Sequence, residues 1–328
     1  MFSKRIEFAQ RKFGPLFSRD SEAIFFNPET PSHCLSLSLD ELVAYQTLFP
    51  VVDQLETAGI KCVQIISQCK FNLAVISIPK SKKLARHLIY LATKAVPEGL
   101  IIVDGNKSDG IESIIRDLEK KIKITNVISK AHGKTTWFET PADLEMYKDI
   151  PLKIEDGFET QAGVFSSDGV DPASKLLIEL LPRDLKGVGA DLGGGWGYLS
   201  AKALETNSIR ELHFIEADFT AMSLAKNNLN DKRLKFHWCD ALKWKAPKLL
   251  DFIIMTPPFH HLGRAIPTLG VDFIKVASRN LKKSGTLWMV ANRHLPYEDA
   301  IQRHFSSFSE LSRSKKFKVI RAENPINF

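Results

Sequence analysis

The segment from Asp191 to Gly197 has the composition of a ligand-binding turn. After Leu192 it reads Gly-Gly-Gly-Trp-Gly. Glycines let the backbone turn tightly and approach a ligand closely, because no Cβ atom intervenes. A dinucleotide-binding fingerprint would need glycine where Tyr198 stands, and the Gly-Lys-Ser/Thr of a phosphate-binding loop is absent from this turn. What remains is an acid followed by glycines at 193, 195 and 197.

This pattern of an acid and alternating glycines resembles motif I of class I methyltransferases, which use S-adenosylmethionine. The resemblance implies that Gly193, Gly195 and Gly197 approach the cofactor. It also implies that Asp191 stabilises the cationic methionine moiety, directly or through water. The alternative is a glycine-rich turn that binds no ligand.

Two further acids end the next two predicted strands. Glu216 is the acid expected to bind the ribose, because a carboxylate can accept two hydrogen bonds from a diol. Asp240, followed by Ala241, could accept a hydrogen bond from the adenine amino group. Since the carboxyl ends of neighbouring strands open on one crevice, the sequence predicts an S-adenosylmethionine site there.

The next predicted strand runs into Thr256-Pro257-Pro258-Phe259, which resembles the Asn-Pro-Pro-Phe/Tyr tetrad of methyltransferases acting on planar amines. Such an amine is a poor nucleophile because its lone pair is delocalised into the ring. Acceptors at its hydrogens, usually the Asn side chain and the first proline carbonyl, aim the lone pair at the methyl group. Prolines fix that carbonyl, and the aromatic ring stacks on the base. We therefore predict that these four residues form the methyl-acceptor site, with no covalent nucleophile.

Longer segments resemble the bacterial 16S ribosomal RNA guanine-N2 methyltransferases. They are Gly163–Gly169, Pro257–His260, Val290–Glu298 and Phe317–Ala322. The resemblance is looser over the first half of the chain. It implies methyl transfer from S-adenosylmethionine to guanine N2 in 16S ribosomal RNA of the small subunit. It also implies a degenerate methyltransferase-like domain in front of the active one.

One position departs from that family, because Thr256 stands where the tetrad has Asn. A single hydroxyl replaces a flat amide, and losing one hydrogen bond costs about 1–3 kcal/mol, or roughly ten- to hundredfold in rate. We expect an active enzyme with altered geometry at the amine. The alternatives are N-methylation of DNA adenine or protein glutamine, and an assembly factor that binds RNA and cofactor but transfers poorly.

A parallel sheet is needed to position these residues. Short apolar runs alternate with amphipathic stretches in the second half of the chain, which is typical of βαβ units. The predicted strands are Val188–Leu192, Leu212–Ile215, Leu234–Trp238, Asp251–Met255, Thr286–Val290 and Phe317–Ile320. The predicted helices are Tyr198–Glu205, Thr220–Leu229 and Val271–Leu281. Right-handed crossovers would join them into an α/β doubly wound sheet, the Rossmann-like fold of class I methyltransferases.

The first half of the chain repeats part of this order. Leu73–Pro79 resembles Phe252–Pro258, since each is an apolar strand that runs into proline. A helix and a strand follow in both halves, and Asn106 and Asn292 stand near matching positions. However, the first half has no glycine-rich turn, and Ile-Pro-Lys replaces Pro-Pro-Phe.

We therefore predict two domains. Residues 1–150 would form a degenerate duplicated α/β domain that docks RNA or stabilises the protein. Residues 158–328 would form the catalytic domain. Glycines and prolines between residues 140 and 169 interrupt any regular period and predict a linker.

Composition and charge limit the remaining function classes. The net charge is +7, with basic clusters such as Lys80–Arg86, and cationic proteins attract polyanions such as RNA. No apolar run approaches the roughly 20 residues of a membrane span, so we expect a cytoplasmic protein and no membrane partner. The cysteines, Cys34, Cys62, Cys69 and Cys239, lack zinc-site spacing, so we expect neither a metal nor a disulfide. The sequence does not determine the oligomeric state, and a monomer is favoured.

Overall fold

The protein divides into two compact units, Met1–Ile150 and Pro151–Phe328. A computed structural model describes residues 2–67, 70–124, 126–141, 144–258, 260–261, 264–265 and 267–326. Each unit contains a seven-stranded sheet and helices. Within the described ranges, no helix has both the length and the apolar character that crossing a bilayer requires.

The first unit contains seven strands and five α-helices among its described residues. The strands are β1 (Ala23–Phe26), β2 (Leu42–Tyr45), β3 (Lys61–Val63), β4 (Leu73–Ser77), β5 (Leu100–Asn106), β6 (Asn126–Lys130) and β7 (Gly133–Glu139). The helices are α1 (Phe2–Phe13), α2 (Pro31–Leu35), α3 (Phe49–Thr57), α4 (Lys82–Ala95) and α5 (Ile111–Leu118).

The second unit begins with a short ladder of β8 (Leu152–Lys153) and β9 (Glu159–Thr160). Its main sheet contains β10 (Gly187–Leu192), β11 (Ile209–Glu216), β12 (Leu234–Trp238), β13 (Leu250–Met255), β16 (Leu281–Asn292), β17 (Phe305–Glu310) and β18 (Phe317–Pro325). A hairpin of β14 (His260–His261) and β15 (Arg264–Ala265) follows β13. The helices are α6 (Pro172–Leu180), α7 (Tyr198–Ala203), α8 (Phe219–Asn228), α9 (Pro267–Asn280) and α10 (Glu298–His304).

The two sheets have the same topology. Their strand orders are β3-β2-β1-β4-β5-β7-β6 and β12-β11-β10-β13-β16-β18-β17. In both, five parallel strands are followed by two strands that join the sheet through antiparallel pairings. The register places Asn106 and Asn292 at equivalent strand ends, each opposite the first residue of an antiparallel neighbour. The predicted duplication of an α/β domain is therefore confirmed.

The core of the second unit shows why its central strands are continuously apolar. In β13, Ile253 and Met255 pack into one apolar cluster, whereas Phe252 and Ile254 pack into another. A strand buried on both faces needs apolar side chains at every position, as in other parallel sheets. Gly189 on the neighbouring β10 leaves room for Phe252, whose ring would lie 2.2 Å from an added Cβ.

Cys34 and Cys62 pack in an apolar cluster of the first unit, and Cys239 packs against one of the second. Cys34, Cys62 and Cys239 are free thiols, and Cys69 lies outside the described residues. Burial raises the pKa of the Cys34 and Cys62 thiols to about 12. Protonated thiols of this kind are poor nucleophiles and poor metal ligands.

Candidate active site

The glycine-rich turn lies between β10 and α7, at the carboxyl edge of the sheet. Gly193, Gly195 and Gly197 have φ angles of 77°, 60° and 104°, which L-residues with a Cβ rarely adopt. A Cβ on Gly197 would lie 2.7 Å from Leu229, whereas a Cβ on Gly195 would meet nothing within 4 Å. Gly197 is thus required by packing, and the backbone at Gly195 borders open space that a ligand can occupy.

Glu216 ties this turn to the end of β11. Its Oε2 accepts a hydrogen bond from Gly195 N at 2.8 Å, and its Oε1 accepts one from Asp218 N at 2.7 Å. Burial raises the pKa of the Glu216 carboxyl to about 7. Each carboxylate oxygen has a further lone pair, so the group can also accept hydrogen bonds from a diol.

Asp191, at the end of β10, is fully buried. Its Oδ2 accepts a hydrogen bond from Ser200 Oγ at 2.7 Å, but Oδ1 has no hydrogen-bond partner among the described residues. Burial raises the pKa of the Asp191 carboxyl to about 7. A buried oxygen without a partner is costly, and a water or a cationic ligand group would satisfy it.

Asp240 follows β12 and shapes the third part of the crevice. Its Oδ1 accepts a hydrogen bond from Leu242 N at 2.9 Å, and the next residue, Ala241, is buried. Cys239 N donates to Glu216 O at 3.1 Å, which joins the ends of β11 and β12. The acids predicted from the sequence therefore follow three adjacent parallel strands at one edge of the sheet.

The residues present fit S-adenosylmethionine. The unpartnered oxygen of Asp191 suits a cationic group, and the carboxylate of Glu216 suits a ribose. Gly195, which borders open space, lies between these two acids in the sequence. By contrast, no group of three His, Cys, Asp or Glu side chains in the described part of the chain could hold a metal ion.

The predicted methyl-acceptor residues follow β13, next to this crevice. Leu192 pairs with Met255 in the parallel register, so Gly193 and Thr256 come next on neighbouring strands. Neighbouring strands lie about 4.8 Å apart, which brings the glycine turn beside the start of the tetrad. Pro257 is buried and Pro258 is half-buried. Phe259 lies outside the described residues.

Thr256 has a partner that the sequence did not predict. Its Oγ1 lies 3.2 Å from Ser174 Oγ on α6. Ser174 in turn donates to Asp171, which caps the same helix. The Asp-Pro-Ala-Ser order at 171–174 is a helix-start signal, and it could have located α6 but not its neighbour.

Two of the segments that carry the family resemblance are joined through a buried lysine. Lys318, on β18, donates to Leu295 O at 2.6 Å and to Glu298 Oε1 at 2.5 Å. Its side chain is 3% exposed, so it cannot also contact a bound substrate. This pair connects Phe317–Ala322 with Val290–Glu298 and has a structural role.

In the first unit, the side chains at the equivalent strand ends form hydrogen bonds within the fold. The register aligns Gln46 with Glu216 and Asn27 with Gly193. Gln46 Nε2 donates to Pro28 O at 2.9 Å, and Asn27 Nδ2 donates to Ser77 O at 2.9 Å. The side-chain amides of Gln46 and Asn27 are thus engaged within the fold.

Comparison with known proteins gives the family. Residues 155–321 match the family described as Methyltransferase small domain. A ribosomal RNA small subunit methyltransferase C from Shewanella loihica is 32% identical over 282 residues, covering 80% of this chain and 81% of the relative. The chain belongs to the methyltransferase C family. As a member of the methyltransferase C family it is a methyltransferase, which confirms the enzyme class predicted from the glycine turn and the tetrad.

A solved structure confirms the predicted fold class. The 16S rRNA N2 methyltransferase of T. thermophilus, in complex with AdoMet and guanosine, superposes with a TM-score of 0.79. It is 22% identical, and the match covers 97% of this chain and 91% of that one. Both domains of this methyltransferase C family member therefore have the expected class I arrangement.

A relative with a different name also matches over most of the chain. A ribosomal RNA large subunit methyltransferase G from Yersinia pestis is 29% identical over 330 residues. The match covers 96% of this chain and 79% of that relative. This methyltransferase C family member thus has sequence relatives named for either ribosomal subunit.

Proposed function

We propose that this enzyme transfers a methyl group from S-adenosylmethionine to the exocyclic N2 of a guanine in 16S ribosomal RNA. The observation that carries the proposal is the register of β10 and β13, which sets the glycine turn beside Thr256-Pro257-Pro258. The names of the small-subunit relatives support the choice of substrate.

For the cofactor, the proposed residues are Asp191, Gly193, Gly195, Gly197, Glu216, Asp240 and Ala241. When bound, S-adenosylmethionine supplies an electrophilic methyl group on a sulfonium. Asp191 would stabilise the cationic end, and Glu216 would hold the ribose through its free lone pairs. Asp240 would accept from the adenine amino group, with Ala241 beside it.

For the acceptor, the oxygen of Thr256 and the carbonyl of Pro257 would accept the two amine hydrogens. This arrangement turns the nitrogen lone pair towards the methyl group, and the two prolines keep the carbonyl from moving. We also propose that Phe259 stacks on the guanine. The nitrogen needs no charged base before it attacks, the cofactor would leave as a neutral thioether, and the methylated nitrogen would then lose its extra proton to solvent.

The proposed partner is the small ribosomal subunit or its RNA, in the cytoplasm, and we propose that the enzyme acts as a monomer. The first domain is proposed to dock RNA. Lys80, Lys82 and Lys83 are exposed and follow β4, at the carboxyl edge of the first sheet. Lys80 comes four residues after Ile76 in the first unit, as Phe259 comes four residues after Met255 in the sequence of the second.

A second candidate is a guanine of the large subunit, which the match to the Yersinia pestis relative favours. Small and large subunits lacking guanine-N2 methylation should therefore be incubated in parallel with labelled S-adenosylmethionine, followed by nucleoside analysis. We expect N2-methylguanosine in 16S RNA. Label in the large subunit would support the second candidate instead.

The same assay needs a control for the cofactor site. The variant Glu216→Ala should lose transfer, whereas Glu205→Ala, at an exposed acid on the same unit, should keep it. Bound cofactor without label in either subunit would overturn the proposal. DNA, protein glutamine or a non-catalytic assembly role would then be tested.

A further inference from the structure

The strongest observation beyond the predicted site residues is a series of hydrogen bonds that runs from α6 to Thr256. Ser174 Oγ lies 3.2 Å from Thr256 Oγ1 and 2.9 Å from Asp171 Oδ2. Ser174 N donates to the same Asp171 oxygen at 2.8 Å. Ser174 is only 6% exposed, so bulk water has little access to its hydroxyl group.

The direction of each proton follows from the groups involved. A carboxylate offers acceptors only, so Ser174 donates its single hydroxyl proton to Asp171. Ser174 Oγ can then offer only its lone pairs to Thr256, and the hydroxyl of Thr256 must donate to it. Once that proton is committed, Thr256 Oγ1 faces any further partner solely as an acceptor.

We infer that Ser174 and Asp171 are positioning residues that convert the Thr256 hydroxyl into a fixed acceptor for the methyl-accepting amine. This inference rests on the proposed function. Without such a chain a hydroxyl can rotate and present either its proton or its lone pairs. The amide of Asn, by contrast, has a separate carbonyl acceptor, so it would not need this support.

These hydrogen bonds also explain how threonine can occupy the position where the tetrad has Asn. Its branched stem restricts χ1, so the contact with Ser174 fixes both the side chain and its proton. A hydrogen bond from Ser174 to a charged group strengthens the next bond in the chain. The resulting site favours amines, which donate, over ring carbonyls, which would meet the Thr256 lone pairs unfavourably.

A double-mutant cycle tests the inference through kcat, KM and cofactor affinity on the small subunit. Ser174→Ala should lower kcat about tenfold and leave cofactor affinity unchanged, and Ser174→Thr should restore much of it. In a Thr256→Asn background, Ser174→Ala should change kcat less than about twofold. Ser278→Ala removes another buried helical serine and serves as the matched control.

The outcomes distinguish a positioning role of Ser174 from a purely structural one. Equal losses from Ser174→Ala in both backgrounds, or a parallel loss of cofactor affinity and thermal stability, would overturn the inference and leave a structural serine. An unchanged kcat in the single variant would overturn it as well. If the wild-type enzyme forms no N2-methylguanosine on either subunit, the proposed function fails, and the inference fails with it.

Discussion

Asp191 is costly to the folded protein when no ligand is bound, because its carboxylate is fully buried with one oxygen lacking a partner among the described residues. The pKa of this acid is raised from 3.8 to about 7. The folded state therefore binds the proton more tightly than the unfolded chain does. The stability that protonation of Asp191 contributes is fully present at low pH and is lost as the pH rises from about 4 to 7.

We predict that Asp191→Asn raises the Tm of the cofactor-free protein by a few degrees at pH 8, because the buried charge is removed. The gain should be smaller at pH 5, where Asp191 is already protonated. The same variant should bind S-adenosylmethionine more weakly. Thermal melts at both pH values, with and without cofactor, make the comparison, and a gain that is independent of pH would contradict it.

At the level of elements, the turn between β10 and α7 contains two glycines with different requirements. Gly197→Ala should destabilise the enzyme by more than the roughly 1–2 kcal/mol cost of a left-handed alanine, because the new Cβ meets Leu229 at 2.7 Å. Gly195→Ala should lower the free energy of unfolding only by the cost of the left-handed backbone. It should mainly weaken cofactor binding, because its Cβ would enter open space. Denaturant unfolding and cofactor titration of the pair check this, and similar unfolding losses in both variants would be the contrary result.

The sequence predicted the central elements well because each is marked by local features. The predicted strand Asp251–Met255 and the helix Thr220–Leu229 lie within about one residue of β13 and α8. The strand β17 was not predicted, since its Phe-Ser-Ser-Phe-Ser-Glu sequence is mostly polar and pairs only with β18. Phe317–Ile320 was expected to be the last strand, and its position between β16 and β17 depends on long-range pairing.

The candidate site was predictable to a similar degree. The three acids and the tetrad follow strand ends, so their common edge could be derived from the order of elements. The contact of Thr256 with Ser174 could not, because 82 residues separate them and only the packing of α6 brings them together. The roles assigned to the site residues stay predictions.

For the whole molecule, the role of the basic charge in RNA binding can be tested by comparing two matched lysine clusters of the first domain. Changing Lys80, Lys82 and Lys83 to Gln should weaken RNA binding and lower the slope of log K against log salt by about 1 to 3. Changing Lys120, Lys121 and Lys123 to Gln removes the same amount of charge just after the C-terminus of α5. This variant should weaken RNA binding less. Filter binding over a salt series measures both, and equal effects would assign the affinity to net charge alone.

The internal bonds of Gln46 and Asn27 also affect how natural variants of this enzyme should be interpreted. A change at Glu216 removes two hydrogen bonds to backbone N–H groups and also the lone pairs free for a ligand, so the variant protein would have a lower specific activity in addition to any loss of stability. A change at the equivalent Gln46 breaks bonds within the fold. A cell with this variant would contain less of the protein, but the specific activity of the remaining protein would be normal. Positions that correspond by duplication therefore predict phenotypes that differ in specific activity, which should be measured beside the abundance of each variant protein.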